Sequence, residues 1–556
     1  MGKVGFDNRH GWGIAAIGAL LFLPFLGGVH LFDWDEINFA EIAREMILRN
    51  DYLKPHIDFK PFYEKPPVFI WLQVLAMQLL GVGEFAARLP NAVCGILTLW
   101  LLYRQGTRLY NPRFGILWAG SYLGSVLPFL YFKSGIIDPW FNLFIFLGLS
   151  NLVFAYWKRA NFQIHLPRPV WQYQLLAGLF TGLAILTKGP VAFLMVSIPA
   201  GVYWVYANLR FYIPLRALAG MSAIAGLTTL LWFGPEWVLN GPTFIREFTT
   251  YQIRLFSTAD AGHKGFFGYH FVVLLVGCFP ASVFALRALL RIPKAILSEE
   301  PDFQEDFRRW MRILLWVVLI LFSLVGTKIV HYSSLAYFPL TYLSAWVLYL
   351  IGEKKLTFSP WMYRTLWAIG GLFMLVVFIL PWIGKNAARL IPYLRDPFAQ
   401  GNLEASVHWS GLEMMPGLWL LLILAYALRA FRRGHNWNGF RVLFGGTALF
   451  VLLTLVFFIQ RIEGYSQRAA IEFFQEKSKE DCYIITHGYK SYAHLFYAKK
   501  QPPTRPEAQD SHFLQYGNPD KPVFLVTKVH RTHEIDDMGT FEELYRKNGF
   551  VFYVRK

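Results

Sequence analysis

Long apolar stretches separated by short polar segments dominate this chain. A membrane-spanning helix needs about 20 mainly apolar residues. The stretches that approach this length lie at roughly 12–30, 89–106, 114–132, 139–157, 172–187, 190–207, 215–233, 268–290, 310–326, 333–351, 363–384, 413–430 and 441–459. A further stretch at 67–82 is shorter and contains Gln73 and Gln78, which favours a helix lying in the membrane interface. The pattern predicts an all-α polytopic membrane protein with about thirteen transmembrane helices.

Basic residues in the short connections predict the orientation of these helices. With the N-terminus inside, the cytoplasmic connections hold Arg104, Arg108, Arg113, Lys158, Arg159, Arg168, Arg210, Arg216, Arg287, Arg291, Lys294, Arg308, Arg309, Lys354, Lys355, Arg429, Arg432 and Arg433. Counting 67–82 as a full span would move the first three of these connections outside, against the positive-inside rule. The outer face then receives the loop 31–88, the loop 234–267, the loop 385–412 and the tail from about 461.

The tail has a different pattern from the rest of the chain. Short apolar runs at 482–485, 523–527 and 551–554 are typical of buried strands, and 469–477 and 540–547 have helical patterns. We therefore divide the chain into a transmembrane part, 1–460, and a small soluble α/β domain, 461–556, on the periplasmic side.

Composition supports a membrane protein and argues against nucleic-acid binding. Of the 556 residues, 55% are hydrophobic and 16% charged, with a net charge of +17. The basic residues lie between apolar stretches, as membrane topology requires, so we expect no nucleic-acid partner. Cys94, Cys278 and Cys482 have no metal-binding or disulfide spacing. No small-residue cleavage site follows the first apolar stretch, which favours an uncleaved span over a signal peptide.

The first outer loop, 31–88, contains the most distinctive polar residues. The segment 32–36 reads Phe-Asp-Trp-Asp-Glu, and the segment 62–67 reads Phe-Tyr-Glu-Lys-Pro-Pro. Acidic and lysine side chains beside a bilayer are costly unless they serve a function. Their position points to chemistry at the membrane face on a substrate that carries a phosphate.

A structural alternative exists for the acidic residues of the first segment. Asp33 and Glu36 have the spacing of a capping box that opens a helix at 37–48. That helix would place Asn38, Glu41 and Glu45 on one stripe and apolar residues on another, as in an interfacial helix. Both interpretations stay open, because a capped helix end also fixes a carboxylate in place.

Later turns on the same face add further charged residues. These are Asp138, Lys188, Arg254, and Lys328 with His331. Each has a structural alternative. Asp138 before a proline is typical of a helix start. Lys188 and Lys328 are typical of lysines that snorkel at span ends. Arg254 fits an ordinary loop charge, and His331 fits a satisfied interfacial histidine. Together, however, several cations on the outer side run against the positive-inside bias and require an anion, which a polyprenyl phosphate would supply.

These motifs resemble those of a known class of enzymes. The residues that carry the resemblance are 35–41 (Asp-Glu-Ile-Asn-Phe-Ala-Glu), 63–66 (Tyr-Glu-Lys-Pro), Arg88, 138–139 (Asp-Pro), 187–189 (Thr-Lys-Gly), Arg254, and Lys328 with 331–332 (His-Tyr). In this order, over roughly 10–350, the chain resembles the GT-C class of polyprenyl-phosphate-sugar-dependent glycosyltransferases. It is most similar to the bacterial branch that contains the lipid A aminoarabinose transferase and the protein-mannosyltransferase-like family.

The resemblance implies roles for individual residues. Asp35 corresponds to the proposed catalytic base, and Lys65 and Arg254 correspond to residues that contact the donor phosphate. One position departs from the aminoarabinose-transferase pattern. In the motif of those enzymes an arginine helps to bind phosphate, and this chain has Asn38 at that position. A phosphate contact is therefore lost or moved. The pair His331-Tyr332 also differs from the aminoarabinose-transferase pattern and looks more like that of the wider family.

The proposed reaction is transfer of a sugar with inversion, from a polyprenyl (undecaprenyl) phosphate to a hydroxyl or phosphate of an acceptor such as lipid A. Asp35 takes the acceptor proton, and Asp138 orients either Asp35 or the acceptor. Fixed cations stabilise the leaving phosphate monoester, so the mechanism allows a divalent cation without requiring one. Further donor-binding candidates are Lys188, Lys328, Arg88, His331 and Tyr63, and Glu36 and Glu64 are other candidates. Glu64 and His263 are either two ligands of a cation or two unrelated loop residues.

Other functions remain open on the sequence alone. The acceptor is lipid A, a protein hydroxyl in an O-glycosyltransferase of the mannosyltransferase type, or a surface polysaccharide. A lipid-linked-sugar flippase is a non-enzymatic alternative, although it predicts charges deep within spans. A sensor with the tail as receptor would leave the outer lysines unexplained. We expect a bacterial inner-membrane protein with its active site and C-terminal domain in the periplasm.

Overall fold

The computed structural model describes residues 8–257 and 265–556, most of which are helical. Up to residue 257 the helices are α1 (Asn8–Phe22), α2 (Asp35–Arg49), α3 (Val68–Leu80), α4 (Glu84–Leu109), α5 (Pro112–Leu123), α6 (Val126–Tyr131), α7 (Asp138–Arg159), α8 (Val170–Lys188), α9 (Val191–Tyr206), α10 (Leu215–Asn240) and α11 (Thr243–Ser257). From residue 265 to 464 they are α12 (Tyr269–Gly277), α13 (Ala281–Leu289), α14 (Lys294–Leu297), α15 (Asp302–Leu324), α16 (Tyr337–Gly352), α17 (Pro360–Lys385), α18 (Ala387–Leu390), α19 (Pro397–Leu403), α20 (Met415–Arg432) and α21 (Asn436–Gly464).

Within the described residues, eight helices are long and apolar enough by themselves to cross a membrane. They are α4, α7, α8, α10, α16 with the turn before it (330–352), α17, α20 with the turn before it (412–432), and α21. Each coincides with a predicted span, so the prediction of a multi-pass helical protein is confirmed.

The other five predicted spans contain helices that are shorter, interrupted or charged at one end. Helices α1 and α9 have 15 and 16 residues. The stretch 114–132 is divided between α5 and α6, and 268–290 between α12 and α13. Helix α15 has 23 residues but carries Asp302 and Glu305 in its first turn. The total of thirteen spans therefore stays a prediction.

Close packing of α8 fixes the outer end of that helix. Helix α8 lies against α7 on one side and α10 on the other. Gly182 makes the second contact possible, because a Cβ atom there would lie 2.5 Å from the Cβ of Thr228. Helices packed this closely leave each other little room to move. The last residue of α8, Lys188, is thereby held in a defined place.

Helix α2 differs from the interfacial helix that the sequence predicts. It begins at Asp35, and its residues from Glu36 to Met46 are buried on every side. The predicted polar stripe is covered by the strands β1 (His56–Ile57) and β2 (Lys60–Pro61) and by the C-terminal domain. Amphipathic periodicity shows that a helix has two faces, but it does not show whether lipid or protein covers the polar one.

The capping-box interpretation is also wrong. The Asp33 side chain makes no bond to the start of α2. Its carboxylate accepts instead from the Ser491 hydroxyl and, at 3.3 Å, from the backbone N–H of Tyr492. Burial raises the pKa of Asp33 above its ordinary value. The residue thus joins the first outer loop to the C-terminal domain.

The C-terminal residues form a small sheet with short helices. Its elements are α22 (Arg468–Lys477), β3 (Tyr483–His487), α23 (Ala493–Tyr497), α24 (Ser511–Tyr516), β4 (Val523–Lys528), α25 (Thr532–Asp536), β5 (Phe541–Lys547) and β6 (Phe550–Arg555). The strand order is β3-β4-β6-β5, with β3 parallel to β4 and the other pairs antiparallel. The predicted α/β composition, its first helix and three of its strands are confirmed.

One element of this domain was predicted wrongly. The segment 540–547 has a helical pattern, but the structure makes it the edge strand β5. Its six residues from Glu542 to Lys547 are exposed, so burial does not dictate its conformation. Hydrogen bonding to β6 through a β-bulge near Glu543 and Tyr545 decides it. Such tertiary pairing routinely overrides local preference.

The C-terminal domain and the first outer loop share a hydrophobic core. Side chains of α2 and α3, including Phe39 and Phe69, pack in the same cluster as Phe474, Phe496 and Phe552. The loop and the domain therefore form one layer over the outer ends of the membrane helices.

Candidate active site

A cavity of about 330 Å³ lies between this layer, the start of α7, the end of α8 and the second half of α11. Seven of the predicted site residues line it: Asp35, Glu64, Lys65, Asp138, Lys188, Arg254 and His331. They come from six separate segments of the chain. The folded structure thus brings together residues whose grouping the sequence could only suggest.

Asp138 and Lys188 form an ion pair in the wall of the cavity. Asp138 is the first residue of α7 and Lys188 is the last residue of α8, and the lysine Nζ lies 2.5 Å from Asp138 Oδ1. The other carboxylate oxygen, Oδ2, is buried and has no hydrogen-bond partner among the described residues. The pair therefore leaves one acceptor atom of Asp138 at the cavity.

His331 lies between the two aspartates. Its Nε2 is 3.7 Å from Asp35 Oδ2 and 3.9 Å from Asp138 Oδ2. The residue belongs to a 3-10 turn, Val330–Ala336, directly before α16. These distances are longer than hydrogen bonds, so the three side chains surround a space rather than close it. The side chain of Asp35 is 44% exposed and is therefore accessible from the cavity.

Lys65 and Arg254 both lie beside Tyr251 of α11. Lys65 Nζ is 3.2 Å from the Tyr251 hydroxyl and 4.5 Å from the ring centroid, and the Arg254 guanidinium carbon is 5.3 Å from the same centroid. Burial lowers the pKa of Lys65 to about 8. A desolvated ammonium beside a guanidinium is poised to gain from an anion, and a phosphate would suit both.

Arg88, a predicted donor-binding residue, has a structural role instead. Its side chain makes two bonds to the carboxylate of Glu36, at 2.9 and 2.8 Å. Its remaining N–H groups donate to the carbonyls of Leu26, Val29 and His30. All five guanidinium donors are therefore engaged, and none is left for a phosphate.

Two other predicted residues lie away from the cavity lining. Lys328 donates to the carbonyls of Phe322, Ser323 and Val325 at 2.9, 2.7 and 2.6 Å, and so it covers the end of α15. Tyr63 packs on the Phe244 ring, with 5.7 Å between centroids. Among the described residues, neither side chain lines the 330 Å³ cavity.

A second cavity of about 900 Å³ meets the first one. The two share Trp34, Asp35, Ile329 and His331. The walls of the second cavity are mostly apolar and come from the chain after α1 and from α21. Asp35 therefore stands where two separate spaces join.

Lys133, in the wall of the second cavity, is a residue that the sequence analysis missed. Its amine donates to the carbonyls of Phe22, at 3.1 Å, and Pro24. Burial, with the nearby charge of Arg88, lowers the pKa of Lys133 to about 8. The sequence did contain one signal for it, because Lys133 is a lysine five residues before Asp138 in the same turn.

Lys490 and Tyr492 of the C-terminal domain also line the first cavity, and no pattern in the sequence indicated them. Asn38 lines it too, and its side-chain oxygen is buried without a hydrogen-bond partner among the described residues. That position carries the departure from the aminoarabinose-transferase motif. The missing arginine thus leaves an uncharged polar group at the cavity.

The suggested cation site cannot be assembled from the described residues. No group of three or more His, Cys, Asp or Glu side chains suited to a metal ion occurs among them. Glu64 lines the cavity, whereas His263 lies outside the described residues.

Comparison with known proteins finds a matching family model and similar sequences. A family model described as dolichyl-phosphate-mannose-protein mannosyltransferase matches residues 64–233. An undecaprenyl phosphate-alpha-4-amino-4-deoxy-L-arabinose arabinosyl transferase from Edwardsiella ictaluri is 29% identical over 386 residues, which cover 67% of this chain and 66% of that protein. The enzyme of the same name from Pectobacterium carotovorum is 28% identical over 449 residues, or 79% and 74% of the two chains.

A solved structure shares the fold over almost the whole length. The crystal structure of ArnT from Cupriavidus metallidurans bound to undecaprenyl phosphate has a TM-score of 0.76 and 17% identity, and it covers 99% of this chain and 98% of that one. The chain therefore has the fold of that membrane protein. Its sequence is similar to those of the undecaprenyl phosphate-alpha-4-amino-4-deoxy-L-arabinose arabinosyl transferases, which confirms the resemblance seen in its motifs.

Proposed function

We propose that this enzyme transfers a sugar from undecaprenyl phosphate to lipid A at the periplasmic face of the bacterial inner membrane. The observation that carries the proposal is the position of Asp35. It lies at the junction of two cavities, and one of them holds a cation pair suited to a phosphate. The names of the relatives support undecaprenyl phosphate as the carrier.

In this mechanism the donor phosphate lies against Lys65 and Arg254. Both side chains are held by Tyr251, so little reorganisation is needed when the phosphate binds. Lys188 keeps its partner Asp138 and acts as a second layer of positive charge. Because the leaving group is a phosphate monoester, these fixed cations stabilise the charge that develops on it.

The acceptor reaches Asp35 from the second cavity, whose apolar walls suit acyl chains. The acceptor oxygen attacks the anomeric carbon as its proton passes to Asp35. The bond from that carbon to the phosphate oxygen breaks, and free undecaprenyl phosphate leaves. Asp138 and His331 position Asp35, since His331 lies within 4 Å of both carboxylates. The configuration at the anomeric carbon is inverted.

Orientation and localisation belong to the same proposal. The basic connections support a cytoplasmic side opposite the cavity. The first outer loop and the C-terminal domain, 461–556, would then lie in the periplasm, where lipid A is exposed. We propose that this domain completes the acceptor side of the site.

The test is transfer by the purified enzyme in liposomes. The donor is undecaprenyl phosphate-α-4-amino-4-deoxy-L-arabinose with a radiolabelled sugar, and the acceptor is lipid A. The expected result is labelled lipid A and an equal amount of free undecaprenyl phosphate. NMR of the product should show the inverted anomer. Relocation of an intact donor across the bilayer would mean a flippase, and a retained anomer would contradict the mechanism.

A second candidate is protein O-glycosylation, supported by the family model that matches residues 64–233. A periplasmic protein extract replaces lipid A in the same assay, and mass spectrometry identifies the labelled product. Label in protein with none in lipid A would replace the first proposal with this one.

A further inference from the structure

A third cavity, of about 320 Å³, lies in the half of the helix bundle away from the candidate active site. It extends from the middle of α8 to the connection 211–213, which joins the end of α9 to the start of α10. The opposite ends of these helices, at Lys188 of α8 and Val191 of α9, line the first cavity. The mechanism above uses no residue of the third cavity.

The wall of this cavity is mostly apolar and is open on one side. Small side chains such as those of Ala177, Ala200 and Ala225 make room for it. Phe193 and Phe211, which also line it, are 41% and 58% exposed. Because Phe193 belongs to a predicted span and Phe211 directly follows the same span, the opening faces the bilayer. Such a wall suits a hydrocarbon chain.

One polar group of the wall has no partner. Trp204 lies near the end of α9, and its indole Nε1 is buried without a hydrogen-bond partner among the described residues. The indole ring stacks on Phe211, with 5.4 Å between centroids and 27° between the ring planes. A buried N–H without an acceptor is costly. An ester or phosphate oxygen of a lipid would supply that acceptor at the membrane interface, where tryptophan is typically found.

Two arginines flank the floor of the cavity. Arg210 directly precedes the segment 211–213, and Arg216 follows it by three residues. Both side chains are exposed, and neither forms an ion pair with a described residue. The positive-inside rule predicts that this connection lies in the cytoplasm. Basic pockets between membrane helices on that side bind anionic lipid headgroups.

We propose that the third cavity binds an acyl chain of an anionic phospholipid of the cytoplasmic leaflet, with the headgroup phosphate at Arg210 and Arg216. The Trp204 N–H donates to an ester or phosphate oxygen of this lipid. The inference goes beyond the proposed function and does not depend on it. The isoprenoid chain of the sugar donor is the rival occupant, but it brings no charge to the two arginines.

The test measures lipid binding to the full-length protein in detergent. Native mass spectrometry follows the bound fraction as palmitoyl-oleoyl phosphatidylglycerol or the corresponding phosphatidylcholine is added. A phosphatidylglycerol with a photoactivatable diazirine in one acyl chain then locates the site by peptide mapping. The parent protein should bind phosphatidylglycerol about tenfold more tightly than phosphatidylcholine, because two arginines meet its net charge. Cross-links should fall in the segments 193–204 and 218–225.

The first variant fills the cavity. Gly201 lines it, and a Cβ atom at this position would meet no atom of another helix within 4 Å. Gly201→Phe therefore puts a ring into the space of the acyl chain without a clash at its Cβ. We expect bound phosphatidylglycerol and cross-linking to fall by about fivefold or more. Gly220→Phe is the matched control, because Gly220 also has open space around it but does not line the cavity.

The second variant removes the charges at the headgroup. Arg210→Ala combined with Arg216→Ala should reduce the preference for phosphatidylglycerol over phosphatidylcholine to within about twofold. Arg429→Ala combined with Arg433→Ala, an exposed pair at the end of α20, should keep the parent's preference. The thermal unfolding midpoint of each variant shows whether it is folded. The two variants probe the chain and the headgroup separately, so loss of folding in one leaves the other as a test.

Four outcomes would overturn the inference. Equal affinity of the parent for the two phospholipids would remove the recognition of charge. Cross-links outside the cavity wall would place the lipid elsewhere, and so would unchanged binding in Gly201→Phe. Displacement of bound phosphatidylglycerol by an equal concentration of undecaprenyl phosphate would assign the cavity to the carrier's isoprenoid chain.

Discussion

Two buried groups of charge lie close together in this molecule and differ in how completely they are paired. Around Arg88 every guanidinium N–H has an acceptor, and Glu36 accepts from Arg88, Phe32 and Gly135. In the adjoining cavity Asp138 keeps one oxygen without a partner among the described residues, and His331 stays beyond hydrogen-bond distance of both aspartates. Both groups combine carboxylates with basic side chains.

The difference separates charges that hold the fold from charges that meet a substrate. A buried ion pair with all its hydrogen bonds made has little left to offer a ligand, and breaking it is costly. A group with unfilled acceptors and a desolvated lysine gains from an incoming anion. Each prediction below tests this division, from the largest expected effect to the smallest.

The largest effect is expected for Asp35→Asn. Loss of the general base should lower kcat by about 100- to 10,000-fold, because the amide cannot take the acceptor proton. Donor affinity should stay within about threefold, since Lys65 and Arg254 remain. Transfer is measured with labelled donor, and donor binding by equilibrium dialysis in detergent. Asp537→Asn, at an exposed site of the C-terminal domain, is the control. A variant with the parent rate would remove Asp35 from the mechanism.

Arg88→Ala should destabilise the fold by about 3–5 kcal/mol, because it leaves Glu36 buried and unpaired. The thermal unfolding midpoint in detergent measures the loss. The double variant Arg88→Met with Glu36→Gln should recover a large part of it, since no uncompensated charge remains. Arg49→Ala, at the exposed end of α2, is the control. If Arg88→Ala instead unfolds like the parent and loses donor affinity, then Arg88 contacts the phosphate after all.

Lys65→Ala should weaken donor binding by about 10- to 100-fold, as expected for one charged hydrogen bond to a phosphate. The unfolding midpoint should change little, because Lys65 contacts the uncharged hydroxyl and ring of Tyr251 and its removal strands no buried carboxylate there. Lys60→Ala, in the same loop and exposed, should bind donor like the parent. A large fall in stability with unchanged donor binding would mean that Lys65 holds the fold, as Arg88 does, and does not meet the substrate.

The pH dependence of donor capture follows from the lowered pKa of Lys65, about 8. The amine is charged below this pH and neutral above it, so kcat/KM for the donor should fall by up to about tenfold per pH unit above 8. In Lys65→Arg the guanidinium stays charged, and the fall should move beyond pH 9. A decline at the same pH in both proteins would assign it to another group.

The smallest effect on activity is expected at Glu45, a buried residue of α2 outside the cavity. Burial, with the neighbouring Glu41, raises the pKa of Glu45 to about 8. The folded state then holds a proton that the unfolded state releases near 4.5, so stability should decrease as pH rises from about 5 to 8. Glu45→Gln should remove this decrease and leave donor binding unchanged. Parallel melting curves against pH for parent and variant would contradict the raised pKa.

Sequence reasoning located the cavity residues well because their environment is unusual for charge. Asp35 and Lys65 lie in a loop between apolar stretches, where charge is costly without a function. The same reasoning could not separate Asp35 from Glu36. Adjacent helix residues point about 100° apart, and here one faces the cavity and the other pairs with Arg88.

The remaining errors involve partners distant in the chain. Lys328 has the same sequence setting as the other lysines of these turns, but its amine donates hydrogen bonds to carbonyls at the end of α15. The polar face of α2 is covered by a domain that begins more than 400 residues later, and Lys490 reaches Trp34 across the same distance. Such contacts depend on the packed tertiary structure, and a single sequence contains no local signal for them.

The most direct test of the central claim is a cryo-EM structure of the Asp35→Asn variant with intact undecaprenyl phosphate-sugar bound. The account predicts phosphate oxygens within about 3.5 Å of Lys65 Nζ and the Arg254 guanidinium, with the anomeric carbon facing the side chain at position 35. A phosphate in the second cavity, beside Arg88 or Lys133, would contradict it.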